Sequence, residues 1–431
     1  MTLRPLPGRI VASQSRVLED AIACIDAAVA DGEPADQWLR KWFHAHHECG
    51  SRDRRLISET VFAWFRWRGW VGAFGDRRKA VVIAALLDAA ECPPAIAALG
   101  VAAGLQSDLF VPFGGRALPE KAAHAARIMG VASCHLETLV PPWFRDAAWR
   151  VTTKDDGREW AAMVEAMQLR PPTWLRIDPS TIGRVMEILA PFDARPNQLC
   201  RSAIRIPPGL ALGRFPALAS LVTVQDLASQ VVGLVCDPVP GSRWWDACAG
   251  SGGKTLHLAA LMHGRGDLVA TDVRPSILNE LERRIRAAGV RTVDIRIWSG
   301  AADDRPPGLF DGVLIDAPCS GTGTWQRNPD ARWRTPAGVV AEKAAVQIAL
   351  LETASVAVRP GGMLVYAVCS VTEAEGPGVA EAFLARRPEW ALAPFENPLK
   401  PGLPSDGTLR ISPAEHACNG MFIARFRRSG A

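Results

Sequence analysis

The sequence predicts an α/β protein whose C-terminal part is a doubly wound parallel sheet, preceded by a small α/β module and an all-helical segment. From about residue 222 onward, short apolar strands alternate with helical stretches, which is the pattern of a parallel sheet. The run between Gly312 and Pro318 is largely apolar, as expected of a strand buried on both faces. Before residue 135, by contrast, apolar residues recur only at helical spacing.

The first predicted domain, residues 1–135, is helical. Its apolar pattern indicates helices at 15–30, 51–70, 78–90, 93–105 and 119–129. In the second of these helices, aromatic residues are interleaved with Arg66 and Arg68, which is compatible with stacking on nucleic-acid bases. An amphipathic helix with a buried aromatic stripe and solvated arginines explains the same pattern. We favour this second interpretation.

The second predicted domain, residues 136–215, is a small α/β module. Strand patterns occur at 173–177 and 203–206, and helical patterns at 158–168 and 180–189. Residues 141–215 carry 11 basic and 8 acidic side chains, which is most of the net charge of +4. We therefore expect a polyanion to be bound here rather than by the C-terminal domain.

The third predicted domain, residues 216–431, contains the parallel sheet. Its predicted strands are 243–246, 268–272, 293–298, 312–316 and 363–368, and its predicted helices are 254–262, 275–288 and 337–357. Residues 408–411 and 421–426 predict an antiparallel hairpin at one edge of the sheet. The carboxyl ends of parallel strands are where open α/β sheets place their chemistry.

Composition and length favour a folded cytoplasmic protein. The chain has 431 residues, of which 48% are hydrophobic, so it can bury sizeable cores. No apolar core follows the basic N-terminus, and no run approaches the roughly 18 apolar residues of a membrane span. The ten cysteines include no Cys-x-x-Cys pair, and we therefore expect no metal site. Most of these thiols are expected to be small buried hydrophobic groups.

Two cysteines differ from the others by their position. Cys319 comes just after the predicted strand that ends at Asp316, and Cys369 directly follows the strand 363–368. If both strands belong to one parallel sheet, their carboxyl ends share an edge. We therefore predict that these two thiols face one another across a substrate pocket.

A glycine-rich loop, with glycines at 250, 252 and 253, follows the first strand of the sheet. It permits a tight turn and a close approach of a ligand to the N-terminus of the next helix. A phosphate-binding P-loop needs a glycine where Cys248 stands, and a dinucleotide fingerprint needs a glycine or alanine where Thr255 stands. The remaining interpretation is a loop for S-adenosylmethionine.

Two carboxylates support that interpretation. Asp272 ends the second strand, which is where nucleoside-binding sheets place the acid that binds the ribose hydroxyls. Asp246 ends the first strand and would face the amino acid portion of the cofactor. Each aspartate is equally explained as a helix cap.

Four stretches together resemble the RsmB/Nop/Sun family of RNA cytosine-5 methyltransferases. They are DACAGSGGKT at 246–255, DAPCSGTG at 316–323, YAVCS at 366–370 and QDLASQ at 225–230. The catalytic resemblance covers roughly residues 220–431 and implies a Rossmann-like class I methyltransferase sheet. Residues 136–215 are similar to the family's RRM-like domain, and residues 1–135 to its NusB-like RNA-binding domain. Gly250-Ser251 stands where the family usually has Ala-Pro, and Val368 where it has threonine.

The resemblance implies a covalent mechanism. Carbon 5 of cytosine is a poor nucleophile, so the ring is first activated by addition of a thiolate at carbon 6. The family pattern makes Cys369 that nucleophile, Asp316 the partner of N3 and Cys319 the group that assists release. Lys254 would support the pocket and lower a thiol pKa. The residues alone do not show which of the two cysteines is the nucleophile, because DNA cytosine methyltransferases use a Pro-Cys pair like Pro318-Cys319.

The implied cofactor is S-adenosylmethionine and the implied partner is RNA, with ribosomal RNA favoured over transfer RNA. The cofactor-binding residues would be Asp246, Cys248, Ala249, Gly250, Ser251, Gly252, Gly253, Lys254, Asp272, Arg274 and Asp316. We expect a monomer in the cytoplasm that binds neither metal nor membrane. A methyltransferase for protein or DNA is the rival enzyme class. A non-catalytic RNA-binding or ribosome-assembly factor is the rival outside enzymes, and the set of Asp316, Cys319 and Cys369 argues against it.

Overall fold

The computed structural model describes residues 8–149 and 157–430, with the side chain of Arg9 excepted. The described residues divide into two compact units. Residues 8–146, 157–169 and 325–336 form the first unit, which we call the helical unit. Residues 147–149, 170–324 and 337–430 form the second, which we call the sheet unit. Each unit is described by itself.

The helical unit is organised around its third helix. Its helices are α1 (Gly8–Asp31), α2 (Ala35–Ala45), α3 (Ser51–Val71), α4 (Arg77–Asp88), α5 (Pro94–Ala102), α6 (Leu118–Met129), α7 (Phe144–Ala147) and α8 (Arg158–Ala166). The apolar stripe of α3 is buried, including Trp64 and Phe65, as its helical spacing predicts. Arg66 is buried as well, and its Nη1 donates to Asp88 Oδ1 at 2.8 Å. A buried charge needs such a partner, so Arg66 is part of the core rather than a solvated arginine.

A small antiparallel sheet opens the sheet unit. Its elements are β1 (Thr173–Ile177), α9 (Ile182–Leu189), β2 (Arg195–Pro196), β3 (Ala203–Ile206) and β4 (Val222–Val224), and the strand order is β2-β3-β1-β4. The inward faces of the strands and of α9 share one apolar cluster that includes Leu175, Val185 and Ile204. This segment is α/β as expected, and its likeness to an RRM-like domain stays a prediction.

The remaining part of the chain alternates helices and strands. Its elements are α10 (Leu227–Cys236), β5 (Arg243–Asp246), α11 (Gly253–Leu261), β6 (Asp267–Asp272), α12 (Pro275–Ala287), β7 (Val293–Ile297), β8 (Phe310–Asp316), α13 (Ala331–Arg334), α14 (Gly338–Ser355), β9 (Val358–Val368), α15 (Pro377–Arg386), β10 (Trp390–Leu392), β11 (Thr408–Ile411), α16 (Pro413–His416) and β12 (Met421–Arg428). The helix α13 belongs to the helical unit. Every strand predicted for this sheet is present, with bounds that differ by a few residues.

These strands form an eight-stranded sheet with the order β10-β12-β9-β8-β5-β6-β7, and β11 pairs with β12. The five strands β7, β6, β5, β8 and β9 are parallel, and β12 is antiparallel to β9. The centre of the sheet is buried on both faces, because helices cover it. Leu314 on β8 and Val365 on β9 are fully buried and lie beside one another in register.

Four features differ from the sequence-based expectations. The hairpin of β11 and β12 exists, but β12 lies between β9 and β10 rather than at the edge. The small sheet extends past residue 215, because β4 lies after that residue and pairs with β1. The helix α8 groups with the helical unit rather than with this sheet. β8 begins at Phe310, so Gly312 lies inside the strand rather than at its start. Only glycine fits at this position, because a Cβ would come within 2.3 Å of the Trp244 ring on β5. The partition into three domains at residues 135 and 215 stays a prediction.

Candidate active site

The two predicted cysteines lie side by side in the sheet unit. β8 and β9 are parallel neighbours, with Asp316 opposite Ala367, so the segments that follow them leave the same edge of the sheet. This pairing brings the sulfur atoms of Cys319 and Cys369 to 3.3 Å from one another. Both residues are partly buried. The two thiols therefore lie side by side; neither lines the cavity described below, so a substrate pocket between them stays a prediction.

A buried carboxylate that the sequence analysis missed ties the two cysteine segments together. Glu375 is fully buried, and it accepts hydrogen bonds from the backbone N–H of Ser320 at 2.7 Å and from the hydroxyl of Ser370 at 2.7 Å. These serines directly follow the two cysteines. Thr372 Oγ1 donates to the same carboxylate at 3.0 Å, and Gln347 Nε2 at 3.1 Å. Glu375 therefore fixes the spacing of the two thiols through the residues beside them.

The electrostatic surroundings of the two sulfur atoms differ. The pKa of the Cys319 thiol is raised well above its usual range by its hydrogen bond with Cys369, by burial and by the charge of Glu375. Cys369 instead interacts with the positive charge of Lys254. A nearby anion disfavours a thiolate. Cys319 is thus the thiol that keeps its proton, and the lowering of a thiol pKa by Lys254 stays a prediction.

Asp316 and Lys254 form an ion pair at the same edge of the sheet. Lys254 Nζ lies 2.6 Å from Asp316 Oδ2. Burial lowers the pKa of Lys254, but the neighbouring Asp316 carboxylate outweighs that effect and the pKa is raised. Lys254 therefore stays protonated, and its ammonium group donates to the Asp316 carboxylate.

A cavity of about 690 Å³ opens at the carboxyl ends of these strands, within the usual range for small-molecule sites of roughly 300–1,000 Å³. Its lining includes most of the predicted cofactor residues, namely Cys248, Ala249, Gly250, Ser251, Gly253, Lys254, Asp272, Arg274 and Asp316. Gly250 has φ +54°, and a Cβ at this residue would meet open space. The glycine loop thus presents bare backbone to the cavity. Burial raises the pKa of the Cys248 thiol, so that side chain is a neutral part of the wall.

Asp272 lies at the end of β6, and both oxygens of its carboxylate accept hydrogen bonds. It accepts from the backbone N–H of Gly250 at 3.0 Å and from the backbone N–H of Arg274 at 3.0 Å. The Arg274 side chain adds two further hydrogen bonds. Burial raises the pKa of Asp272, but the bonds from Arg274 and Gly250 more than reverse this, so the pKa is lowered. The Arg274 side chain is 63% exposed, and its guanidinium can leave the carboxylate when another donor arrives.

Two predicted cofactor residues do not line the cavity. Asp246 is fully buried, and its Oδ2 accepts from Thr255 Oγ1 at 2.7 Å. Burial raises the pKa of Asp246 to about 7, which is the behaviour of a core carboxyl. Gly252 has φ +83°, and a Cβ there would lie 2.0 Å from Leu281 Cδ1. The structure therefore assigns Asp246 and Gly252 to the support of the loop, and direct cofactor contacts remain only an expectation for them.

Two arginines outside the predicted set hold the glycine loop. Arg284 on α12 donates to the carbonyl oxygen of Ser251 at 2.7 Å. Arg176 on β1 donates to Gln225 Oε1 at 2.6 Å and to the carbonyl oxygen of Gly253 at 3.1 Å, and burial lowers its pKa to about 10. Gln225 belongs to the QDLASQ stretch and lines the cavity. Nothing in the local sequence around Arg176 or Arg284 signals this role, because both come from elements far away along the chain.

The described residues offer neither a metal site nor a membrane span. They contain no group of three or more His, Cys, Asp or Glu side chains that could hold a metal ion. None of the helices described there is long and apolar enough to cross a membrane.

Comparison with known proteins gives one family. Residues 233–427 match the family described as 16S rRNA methyltransferase RsmB/F. The chain is 35% identical over 274 residues to the probable ribosomal RNA small subunit methyltransferase B of Synechocystis, a match covering 60% of each chain. It is 32% identical over 251 residues to ribosomal RNA small subunit methyltransferase B of Yersinia pestis, covering 57% of this chain and 58% of that one. The chain thus spans about three fifths of the relatives that it matches.

Solved structures agree with the fold. The protein PH0851 covers 95% of this chain with a TM-score of 0.71 at 24% identity, and 98% of its own length is matched. NSun6 from Pyrococcus horikoshii covers 64% of this chain and 96% of its own, with a TM-score of 0.55 at 19% identity. The family match confirms S-adenosylmethionine as the expected cofactor. The glycine loop and the paired cysteines lie inside the matched segment 233–427, and this segment belongs to the RsmB/F family of methyltransferases.

Proposed function

We propose that this protein transfers a methyl group to carbon 5 of a cytosine in ribosomal RNA, through a covalent adduct with Cys369. The observation that carries the proposal is the 3.3 Å approach of Cys369 and Cys319 next to the ion pair of Lys254 and Asp316. The two thiols supply a nucleophile and a second sulfur. The protonated Lys254, paired with Asp316, supplies a proton at the same edge of the sheet. The names of the curated relatives favour small-subunit ribosomal RNA as the substrate.

The residues present fit S-adenosylmethionine. Bare backbone at Gly250 and Gly253 leaves room for a ligand, and Asp272 offers acceptors for the ribose hydroxyls. Trp298, Val346 and Leu350 line the same cavity and provide apolar surface for an aromatic base. Bound in this cavity, S-adenosylmethionine supplies an electrophilic methyl group on its sulfonium.

The first step is the addition of Cys369. Its thiolate attacks carbon 6 of the cytosine and forms a carbon–sulfur bond, and the electron pair of the 5,6 double bond moves into the ring. Asp316 passes a proton from its pair with Lys254 toward N3, so that the negative charge does not accumulate on the ring. Carbon 5 is now an enamine carbon and takes the methyl group.

The second step is release. Cys319 keeps its proton while Cys369 is a thiolate, because two anions 3.3 Å apart would repel one another. Once Cys369 is bound to carbon 6, that charge is gone, and the Cys319 proton can pass to solvent. The Cys319 thiolate then takes the proton from carbon 5. The carbon–sulfur bond breaks, Cys369 leaves as a thiolate, and the N3 proton returns to the ion pair.

The proposal is tested with purified protein, radiolabelled S-adenosylmethionine and separate RNA substrates. We expect incorporation into small-subunit ribosomal RNA, and bisulfite sequencing of RNA from a strain lacking this protein should show the loss of methylation at a cytosine. If the label appears only in transfer RNA, the substrate is transfer RNA rather than ribosomal RNA. Label in protein or DNA alone, or in no acceptor, would contradict RNA methylation and favour the rival functions.

A further inference from the structure

The helix α3 carries two arginines among its aromatic residues, and the structure gives them different surroundings. Arg66 is buried in an ion pair with Asp88. Arg68, two residues later, is only half-buried, and no described acidic side chain lies within ion-pair distance of it. Its guanidinium lies 5.4 Å from the ring centre of Trp64 and 5.5 Å from that of Trp333. Arg68 is therefore a cation held by aromatic faces and without a counter-charge in the described residues.

Arg68 lines a cavity of about 690 Å³ in the helical unit, which we call the helical-unit pocket. Two tryptophans, Trp160 and Trp333, and a second arginine, Arg145, line it as well. The Arg145 guanidinium lies 5.1 Å from the ring centre of Trp160 and 3.7 Å from the Glu137 carboxylate. The pocket thus combines two aromatic platforms with two cations and a single carboxylate.

The walls of the pocket are held in place by close packing. At Gly69 on α3, a Cβ would lie 1.8 Å from the carbonyl oxygen of Thr138, so only glycine lets the segment with Glu137 and Thr138 approach the helix. The indole of Trp333 is fixed because its Nε1 donates to the carbonyl oxygen of Phe65 at 2.7 Å. A platform that is already oriented loses little entropy when a flat ligand stacks on it.

Two polar groups in this pocket, the Arg68 guanidinium and the Trp160 indole N–H, have no ion-pair or hydrogen-bond partner among the described side chains. Burial and the neighbouring Arg77 lower the pKa of Arg68, because the cation is desolvated without an anion beside it. A guanidinium offers five N–H donors. Trp160 Nε1 is also buried, and no described residue accepts a hydrogen bond from it. An oxygen-rich anion with a flat ring would satisfy both groups, whereas an apolar ligand would leave both donors unsatisfied.

We propose that the helical-unit pocket binds one nucleotide of a single-stranded RNA segment, with its base stacked on Trp160 or Trp333 and its phosphate paired with Arg68. This proposal deepens the proposed function in that it takes RNA as the polyanion that the chain binds. Stacking on tryptophan does not depend on base identity, whereas the arginine supplies the salt-dependent part of the affinity. The pocket contributes to holding the RNA and takes no part in the chemistry.

The test measures fluorescence anisotropy of a labelled single-stranded RNA oligonucleotide with the full chain over a series of salt concentrations. Arg68→Gln should raise the Kd roughly tenfold and reduce the log–log salt slope by about 0.7. Trp160→Leu should raise the Kd by a similar factor without changing the slope, and Trp160→Phe should recover most of the affinity. The proposal is overturned if Arg68→Gln and Trp160→Leu fold and both bind like the wild type.

Two matched controls come from α2. Arg40 is a 76% exposed arginine paired with Asp36 at i,i+4, and Trp38 stacks on Trp42 at 6.5 Å; neither lines the pocket. Arg40→Gln and Trp38→Leu should leave the Kd unchanged. If they weaken binding as much as the pocket variants do, RNA binding is a diffuse property of the helical unit and the pocket is not its site.

A second measurement does not depend on variants. The wild-type protein is photo-crosslinked to the same oligonucleotide carrying 4-thiouridine, and the linked peptides are mapped by mass spectrometry. We expect links to peptides that contain Trp160 or Trp333. Links found only outside the helical unit would overturn the proposal, as would displacement of the oligonucleotide by an equal concentration of cytidine monophosphate, which would indicate a site for free nucleotides.

The experiments distinguish an error in the helical-unit pocket from an error in the proposed function. Steady-state methylation of RNA by Arg68→Gln should show a raised KM for RNA and an unchanged kcat. Wild-type methylation together with an unchanged KM and Kd in this variant would overturn only the pocket. Salt-dependent binding through Arg68 without any methyl transfer to RNA would overturn only the proposed function.

Discussion

The sulfur of Cys369 lies 3.3 Å from the sulfur of Cys319, although 50 residues separate the two along the chain. At this distance the two groups cannot both be thiolates, because the second ionisation would place two anions in contact. The charge of Lys254 acts on Cys369 and the charge of Glu375 acts on Cys319. The raised pKa of Cys319 fits a thiol that keeps its proton, and the role of Cys369 as the nucleophile is tested directly by substitution.

The first prediction separates the roles of the two cysteines. Cys369→Ala should abolish methylation and form no covalent adduct, because the addition to carbon 6 no longer occurs. Cys319→Ala should still permit attack and methyl transfer, so a protein–RNA adduct should accumulate and survive denaturing electrophoresis. Cys236→Ala, at a buried cysteine outside the cavity lining, serves as the control for substitution. An adduct seen with Cys369→Ala instead would reverse the roles.

The second prediction concerns cofactor affinity at Asp272. Asp272→Ala removes the acceptor for the ribose hydroxyls and also frees the Gly250 N–H that the carboxylate now holds. The expected loss in binding of S-adenosylmethionine is at least about 1.5 kcal/mol, or roughly tenfold in Kd, measured by calorimetry. Asp294→Ala on β7 is the control, because its carboxylate pairs with Arg296 at the surface. Equal affinities of the two variants would refute the assignment of Asp272.

The third prediction tests Glu375 as a positioning residue. In Glu375→Gln only one of the two oxygens remains an acceptor, so either the Ser320 N–H at Oε1 or the hydroxyls of Ser370 and Thr372 at Oε2 lose their acceptor. The rate of adduct formation should fall roughly tenfold or more, since each unsatisfied buried donor costs about 1–3 kcal/mol. The Kd for S-adenosylmethionine should stay unchanged, because Glu375 does not line the cavity.

A neighbour in the same loop provides the control for Glu375. Glu373 has a side chain that is 53% exposed and lies 3.6 Å from Arg410. Glu373→Gln makes the same chemical change and should leave the rate of adduct formation as in the wild type. If Glu375→Gln lowers only the thermal midpoint and leaves kcat intact, the network is structural and does not position the cysteines.

The fourth prediction is a pH dependence of stability at Asp246. Burial raises the pKa of Asp246 to about 7, whereas an unfolded aspartate titrates near about 3.9. Between these values the unfolded state binds fewer protons than the folded state, so the free energy of unfolding falls as pH rises. The loss is at most about 1.4 kcal/mol per pH unit and ends above about pH 7. Below about pH 4 the group has no effect.

Asp246→Asn tests this dependence because asparagine cannot titrate and still accepts from Thr255. Urea unfolding of the wild type and the variant between pH 4 and pH 8 should give two curves that diverge, with the variant gaining relative stability as pH rises. Parallel curves would show that Asp246 titrates near its ordinary pKa. Asp294→Asn, at an exposed ion pair, should run parallel to the wild type.

The sequence by itself determined the parallel sheet, its strands and the residues at their carboxyl ends. These are local properties: the apolar run of β8 and the glycines after β5 are read directly from neighbouring residues. The sheet order that brings Cys319 and Cys369 together also follows the family pattern in DAPCSGTG and YAVCS. For this reason the two thiols, Asp316, Lys254 and the glycine loop were all expected before the structure.

Only the tertiary structure decided which charged groups act on these residues. Glu375, Arg176 and Arg284 reach the site from other elements, and no spacing along the chain encodes such contacts. Asp246 has the same local setting as a cofactor ligand, yet it lies in the core, because burial depends on what packs around a strand end. Arg66 and Arg68 are likewise equivalent in the sequence. The packing of α3 places one against Asp88 and leaves the other facing a cavity, since a helix turns by about 100° per residue and presents them to different neighbours.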